Sequence, residues 1–130
     1  MNFICTKNNF LNALRIAEHG IGRNNSLPIL QNVLLRCEKN KLYFITTDLE
    51  VGISTWIFVK SVRDGEYSIP FKTLFIFIQN ILEDTIEFQF DKGSLIIKTK
   101  TTHVRIKGEE ASQFPLLPKV DKKNCLLFDF

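Results

Sequence analysis

The 130-residue chain has no Cys-x-x-Cys pair, no long hydrophobic run and no marked excess of charge of either sign. Its three cysteines, Cys5, Cys37 and Cys125, are odd in number and far apart. That spacing offers neither a paired-thiol zinc site nor a disulfide framework, so reduced and mostly buried thiols are expected. The longest apolar stretch, around Leu74 to Ile78, is far too short to cross a bilayer. The opening Met1-Asn2-Phe3-Ile4-Cys5-Thr6-Lys7 lacks the basic-then-apolar layout of a signal peptide. A cytoplasmic protein with no membrane partner is expected. Basic and acidic residues number 17 and 14, for a formal charge of +3. A dedicated DNA-binding module carries a larger basic excess, so any contact with a polyanion must come from how the charges are arranged. Glycine is scarce as well, and no phosphate-cradling loop is formed: Gly20 and Gly22 follow a predicted helix instead of preceding one.

What the chain does have is apolar bulk. Hydrophobic residues make up 45% of it and 12 are phenylalanines, enough to fill one domain core that is largely aromatic. Phe3 to Thr6 reads as a short strand, with Thr6 a candidate helix N-cap. Phe10, Leu11, Leu14, Ala17 and Ile21 then recur at helical spacing, with Asn8, Asn12, Arg15 and His19 on the opposite face. Pro28 predicts an extended approach to the next strand. Strands are expected at Asn32 to Glu38, Lys41 to Thr47 and, by the alternation of Val51, Ile53, Thr55, Ile57 and Val59, over Glu50 to Lys60. A turn at Arg63-Asp64-Gly65 and a short strand from Glu66 to Ile69 follow. Pro70 opens a second helix, Phe71 to Leu82. Three further strands are predicted at Thr85 to Phe90, Ser94 to Lys100 and Thr102 to Lys107.

The order strand, helix, three strands therefore occurs twice, dividing near Ser61. Hairpin-short connections make the sheet antiparallel. The prediction is an α+β fold, a duplicated strand-helix-three-strand unit with two helices packed side by side on antiparallel sheets. Gly108 to Lys123 reads as a linker, and Leu126 to Phe130 as a strand-like run at the start of something longer. The expected division is one domain over 1–120, with 121–130 a linker and the truncated first strand of a following domain.

No catalytic constellation is present. His19 and His103 lie on a helix face and a strand, and no Ser or Cys has a motif partner. Asp48 and Glu50 read as solvated turn carboxylates rather than metal ligands. No cofactor, no metal and no enzymatic activity are expected.

Four short runs together carry a resemblance. They are Ser26-Leu27-Pro28-Ile29-Leu30 with Asn32 and Leu34-Leu35; Thr46-Thr47-Asp48-Leu49-Glu50; Ile69-Pro70-Phe71-Lys72; and Gln113-Phe114-Pro115. In order and spacing they resemble the N-terminal domain of the bacterial beta sliding clamp family, the DNA polymerase III beta subunit. The resemblance implies a clamp fold, three such domains per subunit and a two-subunit ring around double-stranded DNA. It implies a non-catalytic processivity factor of replication. Partners would be the duplex, held without sequence preference, a second clamp subunit, and the replicative polymerase and clamp loader, which use a cleft between later domains.

Such a ring needs a few weak phosphate contacts rather than base readout. Arg15 on the first helix, Lys72, Gln79 and Asn80 on the second, and Arg23, Asn24 and Asn25 in the loop are the candidates. Family members often carry a basic residue three before the Leu of the Leu-Pro-Ile-Leu run, where this chain has Asn24; Arg23 stands one position earlier. The last strand is implied to look across the subunit boundary, with Lys98, Lys100, His103, Val104, Arg105, Ile106 and Lys107 as interface candidates. Val104 stands where family members usually carry an aromatic residue. Two other readings remain: a stand-alone nucleic-acid-binding or adaptor domain with the same fold, and an enzyme whose site is not apparent in the sequence.

Overall fold

The structure, a computed structural model, describes residues 1–21 and 28–115. Strand β1 (Asn2–Thr6) runs into helix α1 (Lys7–Ala17). Thr6 holds an extended backbone and its side chain accepts a hydrogen bond from the Asn9 amide at 3.3 Å, so the expected N-cap is in place. A 3-10 turn, Glu18–Gly20, closes the helix. Gly20 is required there because a Cβ would collide with the Thr46 hydroxyl. That hydroxyl donates to the Ala17 carbonyl at 2.6 Å, satisfying a helix-end acceptor inside the protein.

Pro28 differs from expectation: it opens a 3-10 turn, Pro28–Gln31, because its fixed φ suits a first helical turn as well as an extended approach. Strands β2 (Asn32–Glu38) and β3 (Lys41–Thr47) form a hairpin. Its two turn residues, Lys39 and Asn40, have φ of 51° and 64°, the left-handed pair that matches strand twist. Asp48 to Val51 turns the chain into β4 (Gly52–Phe58).

The single strand expected from Glu50 to Lys60 is broken. Strand β5 (Lys60–Arg63) belongs to the other sheet, and Val59 is the pivot, buried with its amide on the Asn40 carbonyl at 3.0 Å. The alternation of apolar residues from Val51 to Val59 carries no mark of this break. Strand β6 (Gly65–Pro70) leads to α2 (Phe71–Asn80), which ends two residues before Leu82; that side chain is 92% exposed. Strands β7 (Thr85–Asp91), β8 (Ser94–Lys98) and β9 (His103–Lys107) follow as expected.

Gly108 to Pro115 is not the linker predicted. Strand β10 (Glu109–Glu110) pairs with β6, and Phe114 is buried. The chain can make this crossing because Gly108 passes where a Cβ would meet Ile69, the Ser68 carbonyl and the Phe90 ring within 3 Å. The remainder of the predicted linker and the run Leu126 to Phe130 lie outside the described residues.

Among the described residues all strand pairs are antiparallel, in two five-stranded sheets ordered β5-β1-β7-β8-β9 and β10-β6-β2-β3-β4. The duplication is real, and each unit has one strand more than its sequence suggests: β1-α1-β2-β3-β4-β5 matches β6-α2-β7-β8-β9-β10. The units are interlocked, since β1 pairs with β7 of the second unit and β6 with β2 of the first.

One aromatic pile ties both units together. Phe3 stacks on Phe88 at 4.7 Å, Phe88 on Phe10 at 4.5 Å, and Phe10 meets Phe44 edge-on at 5.0 Å. Cys5 and Cys37 are free and buried in this core, and burial pushes the Cys5 thiol up to about 12.

Candidate nucleic-acid interface and open sheet edge

The two helices form a layer on the sheets. The C-terminal end of α1 and the N-terminal end of α2 meet around a cavity of about 360 Å³ whose walls include Glu18, Phe71, Lys72 and Ile76, so the helices run antiparallel. Phe10, Leu14 and Ala17 of α1 and Phe71, Leu74 and Ile78 of α2 face the core. The outward face carries Asn8, Asn12 and Arg15 from α1 and Lys72, Thr73, Ile76, Gln79 and Asn80 from α2, all exposed. Neither helix contains an acidic residue.

Three cations lie in these helices, and one is committed elsewhere. Lys7 donates its Nζ to the Ile81 carbonyl at 2.5 Å, and its amide bonds the Asp84 carbonyl at 2.8 Å. It closes the end of α2 and does not project from the layer. Among the described residues, Arg15 reaches Asn12 of its own helix, at 3.5 Å. Lys72 stands in the first turn of α2, where Pro70 provides no side-chain cap, so the positive end of the helix adds to its charge. Gln79 is exposed one residue before the helix end, and Asn80 donates to the Ile76 carbonyl at 2.9 Å. Arg15, Lys72 and Gln79 thus share the helix layer, whereas Arg23, Asn24 and Asn25 lie outside the described residues.

The second feature is β9, the last strand of its sheet among the described residues. The Thr99 amide bonds the Thr102 carbonyl at 2.9 Å, and the Gly108 amide the Gly93 carbonyl at 2.8 Å. In an antiparallel ladder this phase directs Val104 and Ile106 toward β8 for backbone pairing. The N–H and C=O groups of His103, Arg105 and Lys107 therefore face the open edge. The side chains of the same three residues are exposed. The edge presents free backbone and positive charge together.

The other interface candidates divide. Lys98 lies opposite His103 and donates to Gln89 Oε1 at 3.3 Å. Lys100 is exposed in the turn, beside Thr101, whose hydroxyl bonds the Glu83 carboxylate and holds that acid below its ordinary range. Val104 is half-buried against the core. Ile106 is only 4% exposed, so it supports β9 from beneath and offers no contact surface.

Asp48 is a turn residue. Its carboxylate accepts the amides of Val51 at 2.7 Å and Glu50 at 2.9 Å, which lowers its pKa. This loop fixes Leu49 at a φ of 79°, uncommon for a branched residue. Among the described residues, no three His, Cys, Asp or Glu side chains gather as a metal site, and no helix is long and apolar enough to cross a membrane.

Residues that sequence reasoning missed are those that brace the layer: Lys7, Gly20 and Thr46. It also missed another edge strand, β4, where Trp56 lies under the Lys41 ammonium at 4.5 Å. Only Gly20 left a signal, as a helix stop.

A family model described as DNA polymerase III beta subunit, N-terminal domain, matches residues 1–118. The chain belongs to that family. A beta sliding clamp of Chlamydia pneumoniae is 28% identical over 129 residues, covering 98% of this chain and 35% of the relative. One from Helicobacter pylori is 26% identical over 124 residues, covering 95% and 33%. The chain thus spans about a third of the length of these curated relatives. Among solved structures, a Helicobacter pylori beta clamp bound to a DNA ligase peptide superimposes with a TM-score of 0.86 at 25% identity, covering 93% of this chain and 34% of that one. The DNA polymerase III beta subunit of Pseudomonas aeruginosa shares the fold, with a TM-score of 0.85 at 24% identity, covering 92% and 32%. The fold of this beta-subunit domain is therefore that of known sliding clamps.

Proposed function

We propose that this domain lines part of a ring closed around double-stranded DNA and supplies one half of a subunit contact, as a non-catalytic processivity element of cytoplasmic DNA replication. The observation that carries the reading is the helix layer: two antiparallel helices with no carboxylate, two cations that form no ion pair among the described residues, and several amides. Such a surface attracts phosphates weakly and reads no base, which suits a protein that must hold the duplex and still move along it. Arg15 and Lys72 make the phosphate contacts, with Gln79 as a neutral hydrogen-bonding neighbour and Arg23 and Asn24 contributing from the loop. The domain occupies 1–120, and 121–130 lead into a following domain, in keeping with relatives about three times as long.

The β9 edge is the subunit contact, joined by a strand whose acidic residues face His103, Arg105 and Lys107, with Lys98 and Lys100 adding to the field. Polymerase and clamp loader engage other domains of the whole protein. The ligase peptide on the Helicobacter pylori clamp supports peptide partners of this kind.

The test uses the full-length protein assembled on nicked circular duplex. Arg15→Ala with Lys72→Ala should weaken retention equally on all sequences. Each lost phosphate contact should reduce the slope of log affinity against log salt by about one unit. An unchanged slope in the double variant would remove the helix layer from the DNA path.

A further inference from the structure

The cavity of about 360 Å³ between the C-terminal end of α1 and the N-terminal end of α2 is lined mainly by apolar side chains. Phe71 and Phe75 lie 5.8 Å apart with their rings inclined by 25°, an offset stack, and Ile21 and Ile76 extend the apolar wall. Phe71 is buried, Phe75 is half-buried against the core and Ile76 is exposed, so the recess runs from the outward face of the helix layer down to the core. Two charges of opposite sign stand in the same wall, the Glu18 carboxylate and the Lys72 ammonium, and both side chains are exposed. They do not neutralise each other: among the described residues Arg36 and Glu66 make the only salt bridge. The volume falls in the range of small-ligand sites. A ligand that suits this lining has a flat aromatic body, an N–H edge for the carboxylate and an anionic group for the ammonium. A nucleotide has all three.

We propose that this cavity takes the base of one unpaired nucleotide, guanine before thymine, from the DNA that the ring encloses. The proposal rests on the reading of the helix layer as the DNA-facing surface. Lys72 belongs to both features: its ammonium holds a backbone phosphate at the rim while the attached base stacks on Phe75. Glu18 has only acceptors to offer. Guanine presents two adjacent N–H donors to a carboxylate, whereas thymine presents a single N–H between two carbonyls. Extruding a base from intact duplex costs at least as much as one stacking contact returns. Matched duplex therefore slides past, and a nucleotide that is already unpaired is held. The cavity marks bulged or frayed positions inside the ring and leaves the sequence of the duplex unread.

The test tracks single fluorescent rings of the full-length protein along duplex carrying one unpaired guanosine, one unpaired thymidine, or neither. The wild-type ring should dwell at the guanosine bulge about tenfold longer than at matched positions, the effect of one base stack. Its dwell at the thymidine bulge should be shorter. Phe75→Leu removes the stacking face and Ile76→Trp fills the recess from its exposed rim; either should abolish the pause. Glu18→Gln should bring the two bulges to similar dwell times. A bulge also bends the duplex, and a pause that persists in both Phe75→Leu and Ile76→Trp would come from the bend and overturn the proposal. So would the absence of any pause, or equal dwell of the wild-type ring at guanosine and thymidine. Arg15 does not line the cavity, so Arg15→Glu tests the underlying reading separately. If that variant slides faster on matched duplex but the wild-type ring never pauses at a bulge, the cavity proposal fails and the helix layer stands. If its sliding is unchanged, the helix-layer reading falls and the proposal with it. Titration of the full-length protein with guanosine monophosphate and with phenylalanine gives an independent readout. The amino acid also matches Glu18 and Lys72 through its ammonium and carboxylate, and its binding in preference to the nucleotide would overturn the proposal.

Discussion

Replacing Gly20 with alanine should destabilise the domain far more than a surface glycine substitution, and the structure sets the size of the effect. The added methyl would occupy the place of the Thr46 hydroxyl, with the Thr46 Cβ and carbonyl oxygen each 3.2 Å away. The hydroxyl cannot swing aside freely, because it donates to the buried Ala17 carbonyl at 2.6 Å. Displacing it leaves that carbonyl without a partner, which costs about 1–3 kcal/mol. Crowding in a packed core adds about 1–3 kcal/mol. The sum is about 2–6 kcal/mol, or a urea midpoint lowered by about 1 M or more at a slope of about 1–3 kcal/mol per M. Thr46→Ala removes the same hydrogen bond but leaves space where the new methyl would sit. The double variant Gly20→Ala with Thr46→Ala should therefore be little less stable than Thr46→Ala alone, so the coupling approaches the whole cost of Gly20→Ala. Equilibrium urea unfolding of the three variants decides the matter. Additive losses, or a Gly20→Ala cost under about 0.5 kcal/mol, would refute the account.

Two further outcomes concern titration. Cys5, with its thiol raised from 9.0 to about 12, should resist alkylation in the native protein at pH 8 and react on unfolding. Its contribution to stability is complete below pH 9.0 and declines as pH rises toward about 12, so urea midpoints should fall over that alkaline window. The Asp48 carboxyl is held below its ordinary 3.8 by the amides of Val51 and Glu50. Its effect is complete above that value and lost as pH falls through the lowered one; amide exchange at Glu50 and Val51 that stays constant down the acid limb would contradict it.

What could be read in advance was local. Thr6 as a cap, the Lys39-Asn40 and Lys92-Gly93 turns and the period-two pattern of Ile86, Phe88 and Phe90 are short-range features, and each fell where its chemistry put it. Sheet membership was not legible. Nothing near Val59 indicates that the chain leaves the sheet of β4 there for β5 to join β1, since the alternation of apolar residues is local and that pairing is not. Glu109 and Glu110 look like linker residues until β6 is beside them. The candidate surfaces followed the same rule. Outward-facing Arg15 and Lys72 are visible from helical spacing, but the engagement of Lys7 at Ile81 depends on a residue 74 positions away. Whether Ile106 is contact or support depends on which side of β9 its sheet neighbours lie.

The exchange of first strands between the two units has a consequence for how the domain can be taken apart. A chain cut at Asp64 yields two pieces, each holding the strand that completes the other's sheet. Either piece alone would expose a long unpaired edge, and Phe88 would be parted from Phe3, Phe10 and Phe44. Neither is a smaller version of the whole. The duplication gives two structural repeats and a single folding unit, in which the first strand made waits for a partner more than eighty residues downstream. Such halves act as lock and key for one another, and mixing them should restore what neither retains by itself.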